Sequence, residues 1–268
     1  MFRYSWSPSA GSERRPEVAP VTRGEIRALR PRLLEGVTEL RKSSAQAGEI
    51  GEPANEPMSP EELTDSLLRY TEELFRFNEK LGLVEAEPEA FVYAHLLDSL
   101  APLYQLPPEI DRRLAAEVTL IDVGSGAGLP GIPIALARPQ LRVTLLDRSG
   151  RRCGFLRNSV AMLRRGDIEV VQGDLSTAGE RLSPHRLLTA RAFRPLGPDI
   201  YRRLCELLEA DGVMVLYKGR LKEAEGEAES LLADLRAAGR REPAVDVLAL
   251  EVPGLRRERC VTLIRKCV

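Results

Sequence analysis

Short apolar runs alternate with amphipathic stretches through the second half of the chain. Continuous apolar runs are typical of strands buried on both faces of a parallel sheet, whereas apolar residues at steps of three and four predict helices. The strand-like runs are 118–123, 141–146, 168–172, 187–190, 213–217, 245–252 and 260–265. The helix-like stretches are 132–137, 150–165, 201–208 and 221–238. We therefore predict an α/β core over 116–268, with a seven-stranded, mostly parallel sheet that a hairpin closes. Asp211 and Gly212 are the predicted turn before the fifth strand.

The N-terminal part of the chain lacks this alternation. Residues 1–22 and 43–58 have no hydrophobic periodicity and are rich in small and polar residues, which favours disorder. Between them, Glu25–Leu40 has a helical pattern that a proline and a glycine interrupt. We expect residues 1–58 to form a flexible extension with one short helix.

The next segment predicts a helical cap over 59–115. Ser59 and Glu62 have the spacing of a capping box around a proline at the first helical position. Apolar residues then recur at helical steps as far as Gly82, which predicts the end of the helix. A second helix is predicted over Glu87–Leu106. These helices should cover the sheet edge and the mouth of a ligand site.

A glycine-rich turn follows the first core strand directly. Gly124, Gly126 and Gly128 separate this strand from the next helix. Glycines there permit positive φ angles and let a nucleotide-like ligand lie against main-chain N–H groups. Leu129 stands where a dinucleotide fingerprint has its third glycine. The turn therefore indicates a ligand without a pyrophosphate and argues against NAD.

The ends of the next two strands supply the remaining groups for such a ligand. Asp147 ends the second strand, where a carboxylate can accept hydrogen bonds from both hydroxyls of a ribose. S-adenosylmethionine is the common cofactor that has a ribose and no diphosphate. After the third strand, Asp174 or the backbone of Leu175 and Ser176 could bind the amine and N1 of adenine.

Composition and charge place few further limits on function. The 268 residues are 43% hydrophobic and 29% charged, with a net charge of −1, which is ordinary for a globular protein and unlike a general nucleic-acid binder. We expect a cytoplasmic protein, because the chain shows no secretory signal and no apolar run of about 18 residues.

The four cysteines form no C-x-x-C pair, so neither a disulfide framework nor a metal site is predicted. Several arginines nevertheless cluster after the second strand and would give one basic face: Arg148, Arg151, Arg152, Arg157, Arg164 and Arg165.

If the reaction is methyl transfer, the residues that are absent narrow the acceptor. Thr189–Phe193 replaces the Asn/Asp-Pro-Pro-Tyr/Phe loop that serves exocyclic amines, and neither Cys153 nor Cys205 lies where a nucleophile for pyrimidine C5 is needed. A nitrogen with a free lone pair, such as guanine N7, needs no general base. Alignment alone can supply about 7–11 kcal/mol, so we predict no catalytic side chain.

Five segments together carry a family resemblance: Asp122–Pro133, Leu145–Arg152, Thr189–Ala192, Lys218–Gly219 and His95–Leu100. They resemble the bacterial small-subunit (16S) rRNA guanine-N7 methyltransferases, the glucose-inhibited division protein B type. The resemblance runs from about residue 60 to the C-terminus. It implies a Rossmann-like class I S-adenosylmethionine-dependent methyltransferase that acts on small-subunit rRNA or the 30S subunit. We further expect a monomer without a metal.

The resemblance also assigns roles to particular positions. The implied cofactor contacts are Gly124, Leu129, Leu175, Ser176 and Arg191, to which the turn adds Gly126 and the ribose argument adds Asp147. Substrate contacts are expected at His95, Asp98 and Lys218. Arg191 and Lys218 would be the cations of the site. His95 and Asp98, three residues apart and thus on one helix face, would place the cap against the acceptor.

One departure from the family leaves the acceptor open. The family has polar residues after the first cap helix, where this chain has Gly82-Leu83-Val84. A methyltransferase with another acceptor, a small molecule or a protein, is therefore an alternative. A non-catalytic ribosome-assembly factor that binds RNA is a second one, and an NAD-linked oxidoreductase is disfavoured by Leu129.

Overall fold

The computed structural model describes residues 21–46, 58–107, 110, 118–192 and 195–266. Within these residues, seven strands form one sheet: β1 (Thr119–Val123), β2 (Arg142–Asp147), β3 (Ile168–Gln172), β4 (His185–Arg191), β5 (Leu208–Lys218), β6 (Ala244–Leu250) and β7 (Arg259–Arg265). Their order in space is β3-β2-β1-β4-β5-β7-β6. The first five strands run parallel, and β7 is antiparallel to β5 and β6. The predicted seven-stranded, mostly parallel sheet is confirmed.

Helices cover both faces of the sheet. Those with described bounds are α1 (Arg23–Ala28), α2 (Arg30–Gln46), α3 (Pro60–Leu81), α4 (Pro88–Phe91), α5 (Asp98–Leu100), α6 (Pro102–Gln105), α7 (Gly131–Ala137), α8 (Gly150–Leu163), α9 (Leu175–Ala178), α10 (Pro198–Glu206) and α11 (Leu221–Ala237). Successive strand residues point to opposite faces, so Leu120 belongs to the apolar cluster that contains residues of α1–α8, whereas Ile121 belongs to the cluster that contains residues of α9, α10 and α11. None of the described helices has an apolar stretch that could cross a bilayer.

The first cap helix follows its sequence signals closely. The Ser59 side chain accepts from the Glu62 N–H and the Glu62 side chain accepts from the Ser59 N–H, which completes the predicted capping box at the start of α3. Gly82 ends the helix in a left-handed conformation with φ +57°, which glycine adopts without strain. The apolar stripe of α3 is buried against α7 and α8. The cap thus shares the core on one face of the sheet.

The described part of the N-terminal extension, residues 21–46, contains more helix than its sequence predicts. The single helix expected at Glu25–Leu40 is two helices, α1 and α2, which break at Leu29. Gly36 does not interrupt α2. A Cβ on Gly36 would lie 2.3 Å from Cδ1 of Leu97, so the glycine allows α2 to pack closely against Leu97. Residues 43–46, expected to be flexible, continue α2. Residues 1–20 and 47–57 lie outside the described residues.

The second cap helix is not the regular helix predicted over Glu87–Leu106. A π-helical stretch, Val92–Leu97, separates α4 from α5, and Pro102, which has no N–H to donate, begins the separate helix α6. π-helical turns inside α-helices are frequent at functional sites. This one contains His95.

The fifth strand also starts earlier than predicted. Asp211 and Gly212 are not a turn before β5 but part of an irregular stretch inside it. The register passes from His185 opposite Leu208 to Leu187 opposite Val213, so the residues between bulge out of the ladder.

Asp122 is a carboxylate buried completely within the sheet. Its Oδ2 accepts from the Gly131 N–H at 3.1 Å and its Oδ1 accepts from the Thr189 hydroxyl at 3.2 Å. Burial raises the pKa of Asp122 from an ordinary 3.8 to about 6, against the opposing effect of these hydrogen bonds. The folded state therefore favours the protonated form, and the stability this form confers is lost as the pH rises from about 4 through about 6.

We expect Asp122→Asn to remove this pH dependence. A shift of this size corresponds to a change on the order of 3 kcal/mol in the free energy of unfolding between pH 4 and pH 7. The amide oxygen can still accept from Gly131. Urea unfolding at pH 4.5, 5.5, 6.5 and 7.5 measures the effect, with the exposed Asp234→Asn as control. If the variant and the wild type show parallel pH profiles, Asp122 is not a buried titrating group.

Candidate cofactor and acceptor site

The glycine turn after β1 has a backbone that glycine alone adopts easily. Gly124, Gly126 and Gly128 have φ angles of +74°, +57° and +91°. A Cβ on Gly128 would lie 2.5 Å from Cδ1 of Ile132, whereas a Cβ on Gly124 would meet nothing within 4 Å. Gly128 is therefore required for packing, and Gly124 leaves open space beside the turn. A ligand can approach the main chain there.

Asp147 joins the end of β2 to this turn. Its Oδ2 accepts from the Gly126 N–H and its Oδ1 accepts from the Ser149 N–H, both at 2.8 Å. The residue is 3% exposed, and the Arg152 guanidinium lies 3.9 Å from Oδ2. Each carboxylate oxygen can accept more than one hydrogen bond. The carboxylate thus fixes the turn and still has acceptor capacity for a ligand.

A cavity of about 210 Å³ opens between these groups at the C-terminal ends of β1, β2 and β3. Its lining residues are Val123, Gly124, Leu146, Asp147, Arg148, Arg152, Gly173, Asp174 and Leu175. In open α/β sheets, ligands bind outside the carboxyl ends of the strands. The predicted contacts Gly124, Asp147 and Leu175 therefore meet around one cavity.

The other predicted cofactor contacts do not line this cavity. Leu129 is buried at 4% exposure, and Gly126 uses its N–H to hold Asp147. Ser176 is exposed, and its N–H already donates to Asp174 Oδ1 at 2.9 Å. Their roles in cofactor binding remain predictions.

A larger groove of about 850 Å³ lies between α1 and α3, away from the strand ends. Two arginines that line it are paired with acids: Arg27 with Glu72 at 2.8 Å, and Arg30 with Asp65 at 2.7 Å. The groove offers little surplus charge and none of the residues predicted to bind a ligand. The smaller cavity is therefore the candidate cofactor site.

The cap holds the glycine turn from the opposite side. The hydroxyl of Tyr70, fully buried in α3, donates to the Ala127 carbonyl oxygen at 2.5 Å. Glu73, one turn further along α3, accepts from the side chain of Asn158 on α8. The cap is thus bonded both to the turn and to the helix that follows β2.

Arg191, at the end of β4, lies in a cluster with both predicted cap residues. Its Nη2 donates to His95 Nδ1 at 3.0 Å, and its Nη1 lies 3.5 Å from Asp98 Oδ2. Arg259, from the start of β7, reaches the other oxygen of Asp98 at 3.0 Å. One carboxylate with a 6% exposed side chain therefore lies between two guanidinium groups.

His95 is neutral in this cluster. Burial lowers its pKa to about 4, and the charges of Arg191 and Arg259 add to the effect. Because a guanidinium only donates, Nδ1 is the acceptor and the ring proton is on Nε2. The ring stacks on Phe91 with centroids 5.2 Å apart. Burial raises the pKa of Asp98, although both arginines lower it.

Lys218, predicted as a substrate-binding cation, is already paired. Its ammonium lies 2.8 Å from Oε1 and 2.7 Å from Oε2 of Glu227 on α11, and the lysine side chain is 13% exposed. Contact with a substrate would require this ion pair to open. The substrate-binding roles of His95, Asp98 and Lys218 therefore stay predictions.

The sequence reasoning missed three residues near the strand ends, namely Arg259, Glu227 and Cys260. The register of β5 and β7 places Cys260 opposite Lys218, although the two are far apart in sequence. Burial raises the pKa of the Cys260 thiol to about 11 and also raises that of Cys153. Both thiols are thus protonated at neutral pH and poor nucleophiles. No local motif marks any of these long-range contacts.

Residues 63–240 match a family model described as rRNA small subunit methyltransferase G. The chain belongs to this family. The predicted family and the prediction of a methyltransferase enzyme are therefore confirmed. Among the described residues, no three His, Cys, Asp or Glu side chains are grouped as metal ligands would be.

Curated members of the family align with most of the chain. A Methylobacillus flagellatus protein called "Ribosomal RNA small subunit methyltransferase G" is 34% identical over 202 residues, which cover 75% of this chain and 87% of that protein. A protein of the same name from Xanthomonas campestris pv. campestris is 36% identical over 201 residues, 75% of this chain and 85% of that protein. Among solved structures, the precorrin-6Y C5,15-methyltransferase of Geobacter metallireducens aligns with a TM-score of 0.44 and 19% identity, over 70% of this chain and 91% of that chain.

Proposed function

We propose that the protein transfers a methyl group from S-adenosylmethionine to N7 of a guanine in small-subunit (16S) ribosomal RNA. The observation that carries the cofactor assignment is the Asp147 carboxylate, which lies in the wall of a cavity beside the open side of Gly124. Family membership and the names of the relatives support a small-subunit rRNA acceptor. Such a substrate would place the enzyme in the cytoplasm.

The residues around the cavity fit this cofactor. Asp147 has acceptor capacity for a ribose diol. Asp174 and Leu175 lie on the side where we propose that the adenine binds. S-adenosylmethionine would supply a methyl group on a sulfonium, which needs no metal. The residues of this chain would bind and orient it and exclude water.

Guanine N7 is an acceptor that needs no general base, and this agrees with the arrangement of His95 and Arg191. His95 is neutral, and its Nδ1 accepts a hydrogen bond from Arg191 Nη2, so this nitrogen is not available as a general base. Guanine N7 already has a lone pair, and alignment with the methyl group would be sufficient. Exposed Arg148 and Arg152 on the cavity rim offer positive charge for RNA phosphates.

The test is a transfer assay with purified protein and radiolabelled S-adenosylmethionine. Separated 30S and 50S subunits and free 16S rRNA are offered in parallel, and the RNA is digested to nucleosides. We expect label in 7-methylguanosine from 30S subunits or 16S rRNA and none from 50S subunits. Label in another nucleoside would contradict the N7 assignment. Label in a protein or a small molecule would favour the alternative acceptor, and bound cofactor without transfer would favour a non-catalytic RNA binder.

A further inference from the structure

Glu227 joins the ends of two neighbouring strands through one carboxylate. Besides holding the Lys218 ammonium at the end of β5, its Oε1 accepts from the Leu196 N–H at 2.6 Å. Leu196 lies in the connection between β4 and α10. A residue on α11 thus fixes both the end of β5 and the backbone that follows β4.

The environment of this carboxylate differs from that of other acids on the same helix. The Glu227 side chain is 22% exposed and its lysine partner 13%, whereas Glu223 and its partner Arg220 are 66% and 75% exposed. Partly buried ion pairs are screened less by solvent than exposed ones. Glu227 should therefore hold its partners more firmly than Glu223 does, and Glu223 offers a matched control.

Ala192, the first residue after β4, has a strained backbone. Ala192 has φ +51°, in the left-handed region that residues other than glycine rarely adopt. Such a conformation persists when the surroundings fix it. Arg191 on one side is bonded to His95 and lies close to Asp98, and Leu196 on the other side is buried and bonded to Glu227.

Arg191 and the strained Ala192 border the candidate site. β4 pairs with β1, with Thr189 opposite Asp122, so Arg191 at the end of β4 and Ala192 directly after it lie beside the glycine turn. Under the proposed function, the acceptor base would approach the cofactor along this edge of the sheet.

We propose that Glu227 is a positioning residue for methyl transfer, which holds Leu196 and Lys218 so that Arg191 and Ala192 keep the geometry that the acceptor needs. The inference rests on the proposed function for its role in catalysis, but the hold on the backbone can be measured without activity. Glu227 itself contacts neither the candidate cavity nor Arg191.

Amide hydrogen exchange and transfer kinetics test the proposal together. In Glu227→Ala, we expect the Leu196 amide to exchange about tenfold faster and kcat for transfer to 30S subunits to fall about tenfold, while the Kd for S-adenosylmethionine stays within about twofold. Glu227→Gln keeps the shape and one acceptor oxygen, so it should retain part of both the protection and kcat. Glu223→Ala should match the wild type in all three measurements.

The outcomes separate this proposal from the proposed function. Unchanged exchange at Leu196 in Glu227→Ala would refute the hold on the backbone. Faster exchange with an unchanged kcat would refute the positioning role, as would an equal loss of kcat in Glu223→Ala. The wild type could transfer no methyl group to ribosomal RNA while the Leu196 amide exchanges faster only in the Glu227 variants. In that case the proposed function is wrong, but Glu227 still fixes the backbone at Leu196.

Discussion

Replacing Asp147 with alanine is expected to weaken S-adenosylmethionine binding by about 100-fold or more. Two hydrogen bonds from ribose hydroxyls to a carboxylate would be lost, and each contributes about 1.5–3 kcal/mol. The change would also release the Gly126 and Ser149 N–H groups, which the carboxylate holds at 2.8 Å. The glycine turn would then keep only the backbone bonds from the Gly124 and Ser125 N–H groups to the Leu146 carbonyl at the end of β2. Isothermal titration calorimetry measures the Kd directly.

Two further variants separate loss of the ribose contact from a general loss of structure. Asp147→Asn keeps the size of the side chain but offers one acceptor oxygen, so we expect an intermediate affinity. Asp199→Ala, which changes an exposed acid in the first turn of α10, should bind the cofactor as the wild type does. If Asp147→Ala binds S-adenosylmethionine with the wild-type Kd, the candidate cofactor site is wrong.

Replacing Asp98 with alanine should destabilise the fold and abolish transfer. The carboxylate lies between Arg191 and Arg259, so its removal leaves two largely buried guanidinium groups without their shared counter-charge. Breaking one side of a buried ion pair costs about 3–5 kcal/mol. Urea unfolding at pH 7 should show a loss in that range, and Arg191 should no longer be oriented toward the site.

A double variant tests the electrostatic explanation. Asp98→Ala combined with Arg259→Met removes one of the two cations, so we expect it to be more stable than Asp98→Ala alone. Transfer should stay low, because Arg191 still lacks its carboxylate partner. If Asp98→Ala unfolds at the wild-type urea concentration, or if the double variant is the less stable of the two, the cluster does not depend on charge balance.

The central strands and three residues around the candidate cofactor cavity, Gly124, Asp147 and Leu175, could be predicted from sequence because their signals are local. β1 and β2 have short, mostly apolar runs, the glycines follow the end of β1 directly, and Asp147 is the last residue of β2. The ends of α3 were likewise predictable, since a capping box and a C-terminal glycine act within one turn. Each of these features depends on residues that are close together in the sequence.

On the proposed acceptor side, the residues His95, Asp98 and Lys218 could be named from the sequence, but their contacts could not, because these contacts join distant parts of the chain. The Arg259–Asp98 and Glu227–Lys218 pairs depend on the position of β7 and α11 in the finished fold. The π-helical turn that contains His95 is set by packing of the cap and has no sequence signal that we could use. The close packing of α2 likewise depends on a distant residue, Leu97, whose side chain lies against Gly36.

Mass mapping of 16S rRNA from a strain that lacks the gene tests the central claim most directly. We predict that one guanine loses its N7 methyl group in the deletion strain. A plasmid copy of the wild-type chain should restore it, and an Asp147→Ala copy expressed at the same level should not. Identical N7 methylation of every guanine with and without the gene would contradict the proposed function.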